Sequence, residues 1–195
     1  MLQFSFFSYS SFCIFFFFLI VTPQVKPSIA TAFSVDIINQ TCKICAEEST
    51  FFSYSLCLAS LQTIPVSHAA NLQGLALIAM ELALENATNT VSSIEKLLRS
   101  GGFDPFALAC LKDCFKLYSD SVVTLIDATG AFLTGQYVSA NVWLSAVMEA
   151  TSTCEEGFTE KEGEVSPLTK ENYNLFQLCD IALCIIHLLS LAVHS

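Results

Sequence analysis

The chain has 195 residues, of which 53% are hydrophobic and 13% are charged, and its 18 acidic residues outnumber 8 basic ones. This length fits one compact domain. No basic stripe is present to neutralise phosphates, so the composition argues against nucleic acid as a partner and against contact with anionic lipid headgroups.

The first 32 residues have the composition of a secretory signal peptide. Residues 11–21 (SFCIFFFFLIV) form an apolar run about as long as a signal-peptide core, and residues 30–32 (ATA) are small enough for signal peptidase. Residues 2–11 contain no Lys or Arg, which is atypical and leaves an uncleaved anchor as the alternative. We predict cleavage after Ala32. The mature chain then has seven basic and eighteen acidic residues, a net charge of −11.

The mature chain (33–195) is predicted to be helical throughout. Gly and Pro number only 7 and 5, and alternating strand patterns with hairpin dipeptides are absent. Two short helices are predicted over 34–45 and 50–61, and together they would form an N-terminal helical hairpin spanning 33–62.

Four long amphipathic helices are predicted in residues 67–195, where apolar residues recur at three- and four-residue steps. The second has clear start signals, with Asp104 as N-cap and Pro105 as the first helical residue. Long helices joined by short loops favour an all-α, up-down-up-down four-helix bundle. The predicted starts of the four helices are Ser67, Pro105, Gln136 and Thr169.

The third long helix is predicted to run from Gln136 to Cys154 with Val138 and Val142 in its core stripe. The acidic run that follows, residues 155–167, lacks the alternating oxygen ligands of a calcium loop. We therefore predict a solvated loop between the third and fourth helices.

The C-terminal run DIALCIIHLLSLAVHS (180–195) has two interpretations. One is a lipid-anchor tail that is removed during maturation. The other is a bundle helix, which we favour because an apolar stripe is needed there as the fourth wall of the bundle. The less apolar face of that helix recurs at helical spacing through Asp180, Cys184, His187 and Ser190.

Eight cysteines follow the predicted signal peptide, which indicates a disulfide framework formed in an oxidising compartment. Eight cysteines allow 105 pairings, so the connectivity is not determined by the sequence. Bundle geometry favours Cys114 with Cys154, because the start of the second long helix and the end of the third lie at the same end. Cys42 and Cys57 flank the hairpin turn and would link its helices. Each bond is worth about 3–4 kcal/mol in the chain-entropy model.

The other four cysteines, 45, 110, 179 and 184, leave alternatives open. They would pack as buried free thiols, or Cys110 would bond to Cys179 or Cys45. A four-thiolate zinc site built from Cys110, Cys114, Cys179 and Cys184 is disfavoured, because the spacings are not those of zinc ribbons and secreted thiols tend to oxidise. No metal or cofactor is predicted.

Catalytic motifs are absent from the sequence. HExxH, GxSxG, GxxxxGK[ST] and GxGxxG do not occur, and there are only three histidines. The chain is therefore predicted not to be an enzyme.

Two sequons agree with secretion and predict a glycoprotein. They are NQT at Asn39 and NAT at Asn86. Whether either asparagine is glycosylated depends on the exposure of its side chain.

Five segments that cover nearly all of the mature chain carry a family pattern: TC…YSLCLASL (41–61), NLQGLALIA (71–79), LKDCFKLYSDSV (111–122), YVSANVWLSAVMEATSTCEEGF (137–158) and SPLTKENYNLFQL (166–178). The combination of DCFKLY upstream with CEEGF downstream is specific. On these segments the chain resembles the plant invertase inhibitor and pectin methylesterase inhibitor family, and most closely its invertase inhibitors of the plane-tree pollen allergen type.

The resemblance implies a four-helix bundle with an N-terminal helical hairpin, secreted to the cell wall (apoplast) or sorted to the vacuole. It implies the disulfides Cys42–Cys57 and Cys114–Cys154, which are the pairs that bundle geometry favours. It also implies a proteinaceous inhibitor that occludes the active-site cleft of an invertase or a pectin methylesterase in a 1:1 complex.

The family's invertase inhibitors insert a Pro-Lys-Phe motif into the target cleft. The corresponding positions here are Pro105, Phe106 and Ala107, so the proline is kept while the lysine and the phenylalanine in its place are absent. Phe106, flanked by Asp104 and Pro105, is the candidate anchor, and residues 104–107 are the candidate target contacts. An alternative is that Phe106 packs against Phe103 or Leu98.

Two other functions compete with inhibition. One is a helical pollen or storage protein without a retained target. The other is a carrier of small apolar ligands, because plant lipid-transfer proteins are also helical, secreted and rich in cysteine. Those carriers need an adjacent Cys-Cys pair and a Cys-x-Cys, and neither occurs here. Titration against the two candidate enzymes separates inhibition from both alternatives.

Overall fold

The structure, a computed structural model, describes residues 30–194, with side chains described for residues 37–191. The predicted signal peptide, residues 1–32, lies almost wholly outside the described residues and stays a prediction. Six α-helices are present in the described part: α1 Ala30–Glu48, α2 Tyr54–Gln62, α3 Leu72–Ser100, α4 Pro105–Leu133, α5 Tyr137–Thr159 and α6 Thr169–His194. A short 3₁₀ helix, Pro65–Ala69, precedes α3.

Helices α3 to α6 form an up-down-up-down four-helix bundle, and the predicted fold class is confirmed. Each helix packs against its two neighbours in the ring α3–α4–α5–α6, and consecutive helices are joined by short loops. The bundle interior is filled by leucine, isoleucine and alanine from all four helices. Its fully buried side chains include Leu75, Ile94, Leu111, Leu125, Leu144, Leu175 and Ile185.

The start of α3 differs from the prediction. Ser67 does not cap α3, because it lies in the 3₁₀ helix that Pro65 opens. The N-cap is Asn71, whose side chain accepts a hydrogen bond from the backbone N–H of Gly74. Both residues are good caps by type, and the proline two residues before Ser67 decides between them because it starts a separate turn.

Helix α5 is longer than predicted. It continues to Thr159, so the first five residues of the predicted loop are helical. The added turn contains Phe158, which is fully buried in the core. Burial of this ring stabilises the additional helical turn, although the solvated glutamates around it favour a loop.

The predicted core stripe of α5 is wrong. Val138 and Val142 are 79% and 60% exposed, whereas Ala140, Leu144 and Val147 are buried. Both sets of positions recur at helical spacing, so periodicity alone does not choose between them. Two valines are consequently left on the outer face of the bundle.

Helix α6 is a bundle helix. Its segment Thr169–Leu191 is long and apolar enough to cross a membrane by length and composition alone, a test that core helices of soluble proteins also pass. Its buried side chains face α3 and α5, its two neighbours in the bundle. This placement agrees with the bundle interpretation of the C-terminal run.

The N-terminal hairpin of α1 and α2 docks on α3 and α6. The hairpin contains the Cys42–Cys57 disulfide, and a second disulfide, Cys45–Cys184, links α1 to α6. At the hairpin turn, the Ser49 hydroxyl donates to Asp180 over 2.6 Å. Beside it, the Gln177 side-chain amide donates to the backbone carbonyl of Phe51 over 2.7 Å, and the rings of Phe51 and Phe176 meet edge to face with centroids 5.0 Å apart. The hairpin is thus held covalently and by polar contacts.

Candidate functional site

The N-terminus of α4 is built by local capping, as predicted. The Asp104 carboxylate accepts hydrogen bonds from the backbone N–H groups of Phe106 (2.8 Å) and Ala107 (3.3 Å). Pro105 occupies the first helical position, where its missing N–H costs nothing. Gly101, with φ 71°, ends α3 in a conformation that side-chain-bearing residues avoid. The chain therefore turns sharply and presents residues 104–106 at one end of the bundle.

Lys161, from the loop between α5 and α6, lies over this helix start. Its ammonium donates to Asp104 over 2.8 Å and to Glu164 over 3.1 Å, and it is 5.4 Å from the centroid of the Phe106 ring. The hydrogen bonds from Lys161 and from the Phe106 backbone hold the pKa of Asp104 below its usual value. Hydrogen bonds to Asp104 and Glu164 raise the pKa of Lys161. Residues 104–106 and Lys161 are called the contact end below.

Exposure divides the four predicted target contacts. Asp104 and Pro105 are exposed and Phe106 is half-buried, so all three are open to a partner. Ala107 is only 2% exposed and packs into the bundle core. Its side chain lies on the inner face of α4 and is not presented to a partner, so the contact end leaves out Ala107, and its predicted target contact stays a prediction.

The disulfide Cys114–Cys154 fixes α4 to α5 behind the contact end. The structure therefore has both of the predicted disulfides, and it adds Cys45–Cys184. Neither of the bridges from Cys110 to Cys179 or Cys45 is present, because Cys45 bonds Cys184. Cys110 and Cys179 are free thiols, which is the other alternative for these two residues. The four-thiolate zinc alternative is also wrong, since two of its members are bonded elsewhere.

Cys110 lies in a groove of about 420 Å³ between α4 and α5. Its thiol donates to the backbone carbonyl of Gly157 over 3.4 Å. Burial, and then the charge of Asp113, raise the pKa of this thiol. Cys110 is therefore a protonated packing group at the working pH of plant compartments.

A hydrogen-bond network that the sequence did not predict runs from the exposed Thr169 through the half-buried Glu155 to the buried Asn172 and Tyr118. The Tyr118 hydroxyl donates to Asn172 Oδ1 over 2.8 Å. Glu155 accepts from the Asn172 amide and from the Thr169 hydroxyl, each over 2.6 Å. Burial raises the pKa of Tyr118, so it stays a hydroxyl donor. These four residues, called the polar layer below, connect α4, α5 and α6.

The polar layer has a faint signal in the sequence. Tyr118 is part of DCFKLY, Glu155 is part of CEEGF, and the other two belong to TKEN, all of which are segments of the family pattern. Their contact across three helices depends on the bundle register, which single-sequence periodicity does not supply.

Comparison with known proteins assigns this arrangement to a family. Residues 36–185 match the family described as plant invertase/pectin methylesterase inhibitor. The chain belongs to this family. Its members inhibit enzymes and are not enzymes themselves, so the chain is an enzyme inhibitor.

Individual relatives carry the names of both inhibitor types. A Platanus acerifolia protein provisionally named an invertase inhibitor is 41% identical over 179 residues, which is 92% of this chain and 96% of that protein. A pectinesterase inhibitor from Actinidia deliciosa is 32% identical over 135 residues, 69% of this chain and 72% of that protein. The two relatives are thus both named as inhibitors, but their names give different target enzymes.

Solved structures share the fold. The crystal structure of a mutant form of a pectin methylesterase inhibitor from Arabidopsis superposes with a TM-score of 0.65 at 25% identity, covering 76% of this chain and 95% of that one. A second pectin methylesterase inhibitor structure, from Arabidopsis thaliana, is similar in fold with a TM-score of 0.57 at 24% identity. The helical architecture is that of the inhibitors.

Proposed function

We propose that the chain is a secreted inhibitor of an invertase or a pectin methylesterase that closes the target's active-site cleft with its contact end. The observation that supports this proposal is the half-buried Phe106 ring, which follows the exposed Asp104 and Pro105 at one end of a disulfide-linked bundle. Inhibition of this kind needs no catalytic group in the inhibitor, because the bundle end only has to exclude the substrate.

Preorganisation supports the choice of the contact end. Three features order Phe106 before any partner arrives: the Asp104 cap on its backbone N–H, the fixed φ of Pro105 before it, and the ammonium of Lys161 near its ring. A large side chain that is already ordered loses little conformational entropy on binding. Aromatic side chains of this kind are frequent energetic centres of protein interfaces.

The stoichiometry and the location are part of the proposal. One contact end per chain corresponds to a 1:1 complex, and a standard interface buries about 1,600 Å² in total. Members of the family are extracellular. Three disulfides also fit an oxidising compartment, so we place the protein in the apoplast, with the vacuole as the alternative destination.

Titration of the purified protein against a plant acid invertase and a pectin methylesterase tests this function. We expect residual activity of one enzyme to fall linearly and to reach its minimum at one equivalent when the enzyme concentration exceeds the dissociation constant. The enzyme that responds identifies the target class.

Inhibition of neither enzyme at micromolar concentration contradicts the proposal for these two targets. That result would favour a helical pollen or storage protein that keeps the fold and has lost the inhibitory activity.

A further inference from the structure

The side chain of Asn39 lies beside the hairpin disulfide. Cys42 follows Asn39 by three residues and Cys57 follows Tyr54 by three residues, so the bond between the cysteines keeps the two side chains adjacent across the hairpin. The Tyr54 hydroxyl donates to Asn39 Oδ1 over 3.0 Å. This hydrogen bond orients the amide through its oxygen, and it does not involve Nδ2, the atom to which an N-linked sugar attaches.

An open cleft adjoins the Asn39 amide. It has a volume of about 600 Å³ and is lined by Asn39, Gln40, Lys43 and Tyr54. The Tyr54 side chain is 41% exposed, so part of its aromatic ring borders solvent. A pyranose has one face of C–H groups, and contact between that face and an exposed ring removes apolar surface of both from water.

The second sequon has different surroundings. Asn86 lies within α3, and its Oδ1 is enclosed and has no hydrogen-bond partner among the described residues. Its side chain borders a groove between α2, α3 and α6, whose walls include Leu56 and Leu178. This groove has a volume of about 360 Å³, against about 600 Å³ for the cleft at Asn39, and it lies where the hairpin meets the bundle. A sugar that starts at Asn86 would therefore compete with the packing of the hairpin against the bundle.

We propose that Asn39 carries an N-linked glycan whose first sugar rests on the Tyr54 ring, and that the folded protein carries none at Asn86. The modification rests on the proposed secretion. The donor is a lipid-diphosphate-linked oligosaccharide: Asn39 Nδ2 bonds to the anomeric carbon, the bond from that carbon to the diphosphate oxygen breaks, and the lipid diphosphate leaves. The proton lost from Nδ2 passes to a base of the transferase. A chain modified at Asn86 would not dock its hairpin on the bundle, so it would be absent from the folded protein.

Glycan occupancy tests the site. The full chain and its Asn39→Gln and Asn86→Gln variants are expressed in plant leaves, and intact masses are measured without reduction, before and after N-glycanase treatment. We expect one N-glycan on the wild type, its loss from Asn39→Gln and its retention on Asn86→Gln. A glycan that survives Asn39→Gln, or a folded chain with no glycan on Asn39, overturns the proposal. The readout does not use inhibition, so failure of the inhibitory function would be seen separately.

Thermal denaturation tests the role of the ring. An endoglycosidase trims the glycan to its first sugar, and the trimmed protein is compared with Asn39→Gln. We expect the single sugar to raise Tm by about 2 °C. Tyr54→Phe, which keeps the ring, should preserve this difference, whereas Tyr54→Ala should abolish it. An equal difference in all three backgrounds overturns the proposed contact with Tyr54.

Discussion

At the contact end, the Asp104 carboxylate pairs with Lys161 in water, whereas in the polar layer the Glu155 carboxylate holds Asn172 against the buried Tyr118. The chemical groups are alike: one carboxylate, donors that satisfy it, and an aromatic ring. Phe106 and Tyr118 are twelve residues apart on the same helix, which is about 18 Å. Solvent access is what differs between the two regions.

This difference separates what the fold needs from what a partner would meet. Water can replace the partners of Lys161 at the contact end, so substitutions there, apart from those of the N-cap Asp104, change the surface and leave the fold intact. In the polar layer, Tyr118 and Asn172 are 1% and 4% exposed, so loss of one partner leaves the other buried and unsatisfied. We therefore expect stability and inhibition to respond to different residues.

Removal of the Cys45–Cys184 disulfide is expected to have the largest effect on the scaffold. The bond closes a loop of 139 residues, and the chain-entropy model assigns such a loop about 5 kcal/mol of unfolding free energy. Double replacement by alanine should lower the urea midpoint accordingly. The matched control is removal of Cys42–Cys57, whose separation of 15 residues corresponds to about 3 kcal/mol. Equal losses would show that loop length does not set the contribution of these bonds.

Tyr118→Phe tests the polar layer. The substitution keeps the ring and leaves Asn172 Oδ1 without its buried donor, so unfolding free energy should fall by about 1–3 kcal/mol. Tyr173→Phe is the control, because Tyr173 is 58% exposed and water can replace its hydrogen bond to the Phe51 carbonyl. The control should change stability by less than about 0.5 kcal/mol. Similar effects of the two substitutions would remove the distinction between the buried and exposed networks.

Lys161→Met should have the smallest effect on stability, because it removes an exposed charge from the contact end and leaves the packing of the bundle unchanged. Without the Lys161 hydrogen bond, the pKa of Asp104 should rise toward its usual value, as measured by carbon NMR of the carboxyl group. A lowered pKa of Asp104 stabilises the fold above pH 3.8 and ceases to do so as pH falls through the lowered value. The stabilisation that corresponds to the raised pKa of Lys161 is complete below pH 10.5 and is lost as the pH rises through the raised value.

Both groups are therefore charged between about pH 5 and pH 8, and any difference in Tm between wild type and Lys161→Met should be constant over that range. If the difference in Tm varies within this pH range, another titrating group influences the Asp104–Lys161 pair.

Local signals predicted the start of α4 well. Asp104 and Pro105 cap and start a helix through contacts with their immediate neighbours, so residue type and order are sufficient. Lys161 was not anticipated at this site, because it lies 57 residues from Asp104 and reaches it only through the return of α5 beside α4. In chain order, the three positions of the Pro-Lys-Phe motif contain no lysine.

The other features that the sequence did not predict depend on contacts between distant segments or on the rotation of a helix. The Cys45–Cys184 bond depends on how the hairpin docks on α6, and no local pattern specifies that docking. The outward-facing Val138 and Val142 show the same limit within one helix, since their spacing fits a core stripe as well as that of Ala140 and Leu144 does. Periodicity identifies helices reliably but gives their rotation only when polar and apolar faces are distinct.

The inhibition constant of Phe106→Ala against the responsive enzyme tests the central claim most directly. Leu133→Ala is the matched control: it truncates a 66% exposed apolar side chain at the other end of α4, about 40 Å away. We predict that Phe106→Ala raises the inhibition constant at least about 30-fold with its urea midpoint nearly unchanged, while Leu133→Ala leaves inhibition within about twofold of wild type. Wild-type inhibition by Phe106→Ala would contradict the assignment of the contact end as the surface that meets the target.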